Sequence, residues 1–182
     1  IVRDLVDEVV KVSEASLEEW GAGSRPRTMG MLRHGTSAAE AKAGYGLTPS
    51  SERLQLQSIL KLDQEGPLEL VPTYLGAHAI PKEFKNDAQV YTNLVVNKML
   101  PEVLTWWKRN AGHRPLPYVD VFCEVGAFSL EQSRQILTKA KELGFPLKIH
   151  ADEFENLGGA TLAAKMGAAS ADHLVKTSNA DI

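Results

Sequence analysis

Leu147-Lys148-Ile149-His150-Ala151-Asp152-Glu153 is a brief apolar run that gives way at once to a histidine and two carboxylates. Its shortness, and the turn residues Gly144 and Pro146 before it, mark a buried strand rather than a helix. Val119-Asp120-Val121-Phe122-Cys123 is a second run of this type, followed by Glu124. Leu70 to Leu75 is a third, with Pro72 weakening its first residues and Gly76-Ala77-His78 at its end. Ala38 to Ala43 and Ala169 to Leu174 are alanine-rich and are placed by the rhythm of the chain, ending near Gly44-Tyr45-Gly46 and Asp172-His173.

Amphipathic segments fill the intervals. Thr48-Pro49 reads as an N-cap and first helical residue, with Gly66-Pro67 as the stop. Ser129 and Gln132 form a capping-box pattern at the head of a helix that Gly144 ends. Asp87 to Ala111 carries an apolar stripe, and Pro101 is expected to kink or divide it. Residues 157–166 form a short helix before Gly167. A helix followed by five strands with helices between them predicts an α/β fold with a parallel sheet and right-handed crossovers. An open doubly wound sheet and an arc of a barrel both satisfy that order. No Gly-x-Gly-x-x-Gly or Walker motif follows any strand, which weighs against nucleotide binding. With no internal repeat or low-complexity linker, one domain is expected.

Composition narrows the function classes. The 182 residues are 43% hydrophobic and 24% charged with a net charge of −3, and the basic residues form no stripe, so neither nucleic acid nor an anionic membrane is an expected partner. No apolar run approaches the roughly 18 residues of a membrane span, and no signal-peptide pattern is present. The single cysteine, Cys123, excludes an intrachain disulfide framework and suits a cytoplasmic setting. It reads as a buried apolar thiol, and Trp106-Trp107 as helix packing.

In parallel α/β folds ligands gather at the C-terminal ends of strands. Three of the five histidines, His78, His150 and His173, stand at such ends; His34 and His113 fall in a helix tail and a loop. His150 at a rigid strand end suits zinc or iron. Glu153 nearby can shuttle protons to and from water acidified by a metal. The plainer reading is also open: His150 caps the next helix, and Glu153 is a first-turn carboxylate favoured by the helix dipole. Tyr45, between two glycines, is either a rim aromatic or a residue brought close to a ligand.

Five ordered stretches carry a family likeness: Glu-Ala-Lys-Ala-Gly-Tyr-Gly-Leu (40–47), Thr-Tyr-Leu-Gly-Ala-His-Ala (73–79), Asp-Val-Phe-Cys-Glu (120–124), His-Ala-Asp-Glu (150–153) and Ser-Ala-Asp-His-Leu (170–174). Together they resemble the imidazolonepropionases, from about Met31 to the end; residues 1–28 match less distinctly, as a preceding helix. The resemblance implies the (β/α)8 TIM-type barrel of the metal-dependent amidohydrolase superfamily, and hydrolysis of the cyclic amide 4-imidazolone-5-propanoate to N-formimidoyl-L-glutamate in histidine degradation. It also implies one divalent metal, zinc or iron, held by a His-x-His, a strand-five histidine and a strand-eight aspartate, and a homodimer for the intact protein. Carried over, His150 is the strand-five ligand, and Glu153 contacts the substrate ring and assists proton transfer. His173 is the strand-six histidine that orients or activates water, while Tyr45 and His78 bind substrate.

The sequence departs from that pattern. It contains no His-x-His, no downstream strand with the aspartate, and no arginine near a His-x-His for the propionate. On this likeness residues 1–182 are the central part of one barrel domain, about strands two to six of eight, with one of four metal ligands. By itself such a stretch is expected to be inactive and to bind metal weakly. Two other functions fit the sequence: a deaminase of a cyclic base within the same superfamily, and a non-catalytic binding module built on half a barrel.

Overall fold

The computed structural model describes residues 16–181; residues 1–15 of the helix expected ahead of the first strand lie outside them. Within that range the chain runs α1 (Leu17–Arg33), β1 (Ala38–Ala43), α2 (Pro49–Glu65), β2 (Glu69–Ala77), α3 (Ala88–Leu94), a π-helical turn (Val95–Met99), α4 (Leu100–Asn110), β3 (Tyr118–Cys123), α5 (Leu130–Glu142), β4 (Lys148–Ala151), α6 (Gly159–Met166) and β5 (Ser170–His173). Local chemistry accounts for the helix starts. Thr48 Oγ1 accepts from the Ser51 N–H, and Ser129 with Gln132 forms the reciprocal capping box. Pro101, which has no N–H to give, is absorbed by the widened π turn before it, where the Leu100 N–H reaches back to the Val95 carbonyl. The helical run therefore continues from Ala88 to Asn110.

All five strands pair in parallel in the order β1-β2-β3-β4-β5. β2 is longer than its sequence suggests and includes Pro72. The proline is tolerated because pairing with β3 begins only at Thr73, leaving β2 paired on one side before it. The strand order also decides between the two candidate architectures. A doubly wound sheet reverses direction at a switch point. Here every crossover steps the same way, so right-handed connections put all the helices on one face. That is the topology of a barrel arc.

The curl of the sheet is measurable. In a flat sheet β1 and β5 would stand about 19 Å apart, four spacings of about 4.8 Å. Yet Lys42 Nζ on β1 lies 3.1 Å from Asp172 Oδ2 on β5. No lysine reaches across a flat sheet of that width, so the five strands form a curled half-barrel.

The convex face carries the apolar core, where Val119, Val121 and Ile149 pack under Leu56, Leu100, Trp107, Ile136 and Leu137. The Trp107 indole N–H donates to the Pro115 carbonyl at 3.0 Å, so burial leaves no polar atom unpaired there. Each fully buried leucine- or isoleucine-sized side chain contributes about 1.5–3 kcal/mol of transfer free energy. α6 meets β4 through a glycine. A Cβ on Gly159 would fall 2.4 Å from the Ala151 Cβ. Gly159→Ala is therefore expected to displace the start of α6 and to lower stability by about 1–3 kcal/mol. Denaturant unfolding reads this directly, and a variant as stable as the parent would show that the contact relaxes freely.

Candidate functional site

The concave face is charged where the convex face is apolar. Lys42 Nζ contacts Glu40 at 3.2 Å, Asp120 at 3.0 Å and Asp172 at 3.1 Å. Burial works against the ammonium, but Asp120 and then the hydrogen bonds to Asp172 and Glu40 outweigh it and hold the Lys42 pKa above its usual range. Glu40 also accepts from Thr73 and pairs with Lys148 Nζ, which lies 4.8 Å above the Tyr118 ring. None of these residues had been singled out as functional. Glu40, Lys42, Asp120 and Asp172 lie within the family-like stretches, and the alternation Val119-Asp120-Val121 turns a carboxylate to the face opposite its apolar neighbours.

Above this layer, at the C-terminal ends of the strands, the expected site residues come together. The Tyr45 and His78 rings meet edge-on with centroids 4.5 Å apart. His78 stands 5.9 Å from Phe122, which in turn lies 6.3 Å from His150 and 6.5 Å from His173. The His150 and His173 rings are 5.2 Å apart, and His173 Nε2 approaches Glu153 Oε2 to 3.4 Å. Five strand ends thus contribute to one continuous group of side chains. Phe122, at its centre, was not anticipated. His34 and His113 are exposed and remote from it, as their positions suggested.

Burial lowers the His78 pKa, and His150 adds to the effect; hydrogen bonding to the Gly44 backbone and the Asp120 charge oppose it. His78 is thereby biased to the neutral form. Cys123 is fully buried, and burial raises its thiol pKa, which favours the thiol over the nucleophilic thiolate.

The helix-capping role considered for His150 and Glu153 falls to Asp152. This residue is fully buried at φ +52°. Its Oδ1 accepts from the Leu157 and Gly159 N–H groups, and its Oδ2 from the Ala160 N–H and the Thr177 hydroxyl. One carboxylate therefore closes the head of α6 and ties down the loop after β5. His150 and Glu153 are left facing the mouth. His173 and Leu174 also sit at positive φ, +73° and +57°, held by the Leu174 N–H donating to Ala151 and the Lys176 N–H donating to Asp152. Strain of this kind persists only where surrounding bonds enforce it, and it clusters at functional sites.

A divalent ion fits the His150 end of the group. Ligand atoms of Asp120, His150 and Asp172 all lie within 4.8 Å of one another. His150 Nδ1 is 2.8 Å from Asp120 Oδ2 and its Nε2 is 3.6 Å from Asp172 Oδ2. The close Nδ1 approach is not aligned as a hydrogen bond, and both Nδ1 and Asp120 Oδ1 are buried without one. Lys42 already supplies positive charge to both carboxylates, so the imidazole is the open donor for a metal.

No family model matches the chain. Among curated proteins, the imidazolonepropionase of Herpetosiphon aurantiacus is 49% identical over 163 residues, which is 90% of this chain and 38% of that protein. The imidazolonepropionase of Alkaliphilus metalliredigens is 43% identical over 178 residues, 98% of this chain and 40% of its own length. That of Chloroflexus aggregans is 50% identical over 151 residues, 82% and 35% respectively. The chain spans about two fifths of the curated relatives it matches, and along nearly all of its own length it belongs by sequence with the imidazolonepropionases.

Proposed function

We propose that this half-barrel carries the substrate-facing side of a metal-dependent hydrolase site of the amidohydrolase superfamily. The reaction is opening of the cyclic amide 4-imidazolone-5-propanoate to N-formimidoyl-L-glutamate. The observation that carries the reading is the convergence of Tyr45, His78, Phe122, His150, Glu153 and His173 at one mouth. The relatives' names support the substrate. In this reading residues 1–182 supply strands two to six of an eight-stranded barrel.

The reaction adds water across the ring amide: the C–N bond breaks, the carbonyl carbon gains oxygen, and the departing nitrogen gains a proton. When bound, zinc or iron supplies Lewis acidity that polarises the carbonyl and lowers the pKa of water. His150 would hold the ion, with Asp120 and Asp172 beside it. Glu153 takes the proton from the attacking water and delivers it to the ring nitrogen, and His173, 3.4 Å from it, orients the pair. Tyr45 and His78 bind the imidazolone and its propionate arm, with Phe122 as an apolar wall beside the ring.

The test is turnover by a protein that completes the barrel around these residues, with the 182-residue chain assayed alongside. The first is expected to consume imidazolonepropionate, to lose activity to a chelator and to regain it with zinc or ferrous iron; the second is expected to be inert. Chelator-insensitive turnover would remove the metal from the mechanism. Ammonia release from a cyclic base, with no action on imidazolonepropionate, would transfer the site to deamination.

A further inference from the structure

Glu124 follows β3 directly and is 2% exposed. Among the described residues no lysine, arginine or histidine pairs with it. Its carboxylate is turned to backbone instead: Oε1 accepts from the Val125 N–H at 2.7 Å, and Oε2 accepts from the Glu153 N–H at 3.0 Å and the Phe154 N–H at 2.9 Å. A buried carboxylate without a counter-cation is retained only where such donors satisfy it. Two of the three come from a segment thirty residues away, which includes Glu153.

The Glu153 side chain has little else to hold it. The side chain is 26% exposed, and its described contact is the 3.4 Å approach to His173. The next residue, Phe154, is half exposed and gives no apolar anchor. On the other side, Asp152 fixes the start of α6 and the loop after His173. Glu153 is thus suspended between two buried carboxylates, one for each flank of its backbone.

We propose that Glu124 is the positioning residue for Glu153. By gripping the backbone N–H groups of Glu153 and Phe154, it fixes where the Glu153 carboxylate stands relative to His173 and the reacting bond. The inference rests on the reading of Glu153 as the proton-transferring group. Glu124→Gln preserves shape but removes the negative charge and leaves one acceptor oxygen for three N–H donors, so the charge-assisted bonds to the Glu153 and Phe154 N–H groups are weakened. Misplacement of a catalytic group by about 1 Å costs up to about a hundredfold in rate.

The experiment is a double-mutant cycle on the metal-loaded protein with a complete barrel. It compares the parent, Glu124→Gln, Glu153→Gln and the double variant, with kcat, KM and bound metal measured for each. Glu124→Gln is expected to lower kcat by about tenfold or more with Glu153 present, and by less than about twofold in the Glu153→Gln background, with KM and metal content unchanged. Equal losses in both backgrounds would show that Glu124 does not act through Glu153 and would overturn the proposal. Hydrogen exchange of the Glu153 and Phe154 amides gives a reading independent of turnover: a rise of about tenfold or more is expected in Glu124→Gln. Unchanged exchange would overturn the grip itself. Glu124→Asp, which keeps the charge but withdraws it by one methylene, serves the same comparison if the glutamine variant does not fold. Absence of imidazolonepropionate turnover in the parent would defeat the substrate reading, and the exchange measurement would still decide the anchor.

Discussion

Glu153→Gln, measured in a protein with the complete barrel, is expected to lower kcat by about a hundredfold to ten-thousandfold, the range for loss of a positioned general acid–base. KM and bound metal should change little. The distinction matters because two carboxylates follow His150 within three residues and only one is free. Asp152 accepts four hydrogen bonds and closes α6, so its loss would unseat the helix and the loop after β5. Glu153 keeps its carboxylate at the mouth, 3.4 Å from His173. Glu153→Gln should therefore leave the unfolding midpoint near that of the parent while kcat collapses. Asp152→Asn should do the reverse in order of severity, lowering stability first. If Glu153→Gln turned over substrate within about tenfold of the parent, proton transfer would have to be assigned elsewhere, with His173 the nearest candidate.

The same two carboxylates show what could be read from the sequence and what could not. Three strands were legible as short apolar runs and β1 and β5 by the rhythm of the chain, and the grouping at the mouth was legible because parallel folds collect polar residues at strand ends. Tyr45, His78, His150, Glu153 and His173 needed only that rule and the family likeness to be grouped. The division of labour between Asp152 and Glu153 was not legible. It depends on a positive φ at Asp152 and on N–H groups five to eight residues downstream that turn back toward it. Glu124 was hidden for the same reason, since its partners are backbone atoms of a distant loop. The Lys42–Asp120–Asp172 cluster requires the curl of the sheet, because its members lie 78 and 130 residues apart in sequence. Strand order alone became decisive only once pairing was known, as the alternation of elements fits a doubly wound sheet equally well.

The loop that carries Tyr45 is expected to be held at an expense in stability, and Glu52 is the residue through which it can be read. Gly44 donates its N–H to Gln55 at 3.1 Å and Leu47 donates to Glu52 at 2.8 Å, while the Tyr91 hydroxyl bridges the Leu47 and Gly76 carbonyls at 3.2 and 2.8 Å. Leu47 is at φ +53°, and a Cβ on Gly46 would fall within 2.8 Å of the Glu52 nitrogen, so the backbone here is both bent and tightly seated. Glu52 is fully buried with Oε2 lacking a hydrogen bond. Burial pushes its pKa from the usual 4.5 up to about 7, against the opposing hydrogen bonds from Leu47 and Gly46. In the unfolded chain the same carboxyl ionises near its usual value. Below about pH 4.5 both states are protonated and the residue imposes no penalty. Between pH 4.5 and 7 the unfolded state releases its proton first, so stability falls as pH rises and levels off above 7. The gap corresponds to about 3 kcal/mol. Glu52→Gln retains an acceptor for the Leu47 N–H and cannot ionise. Its stability relative to the parent should therefore increase by about 3 kcal/mol between pH 4.5 and pH 7.5 in denaturant titrations, with the curves converging at low pH. Parallel pH profiles for the two proteins would mean that Glu52 stays ionised in the fold, and the Tyr45 loop would then be anchored by a buried carboxylate of the same type as Glu124.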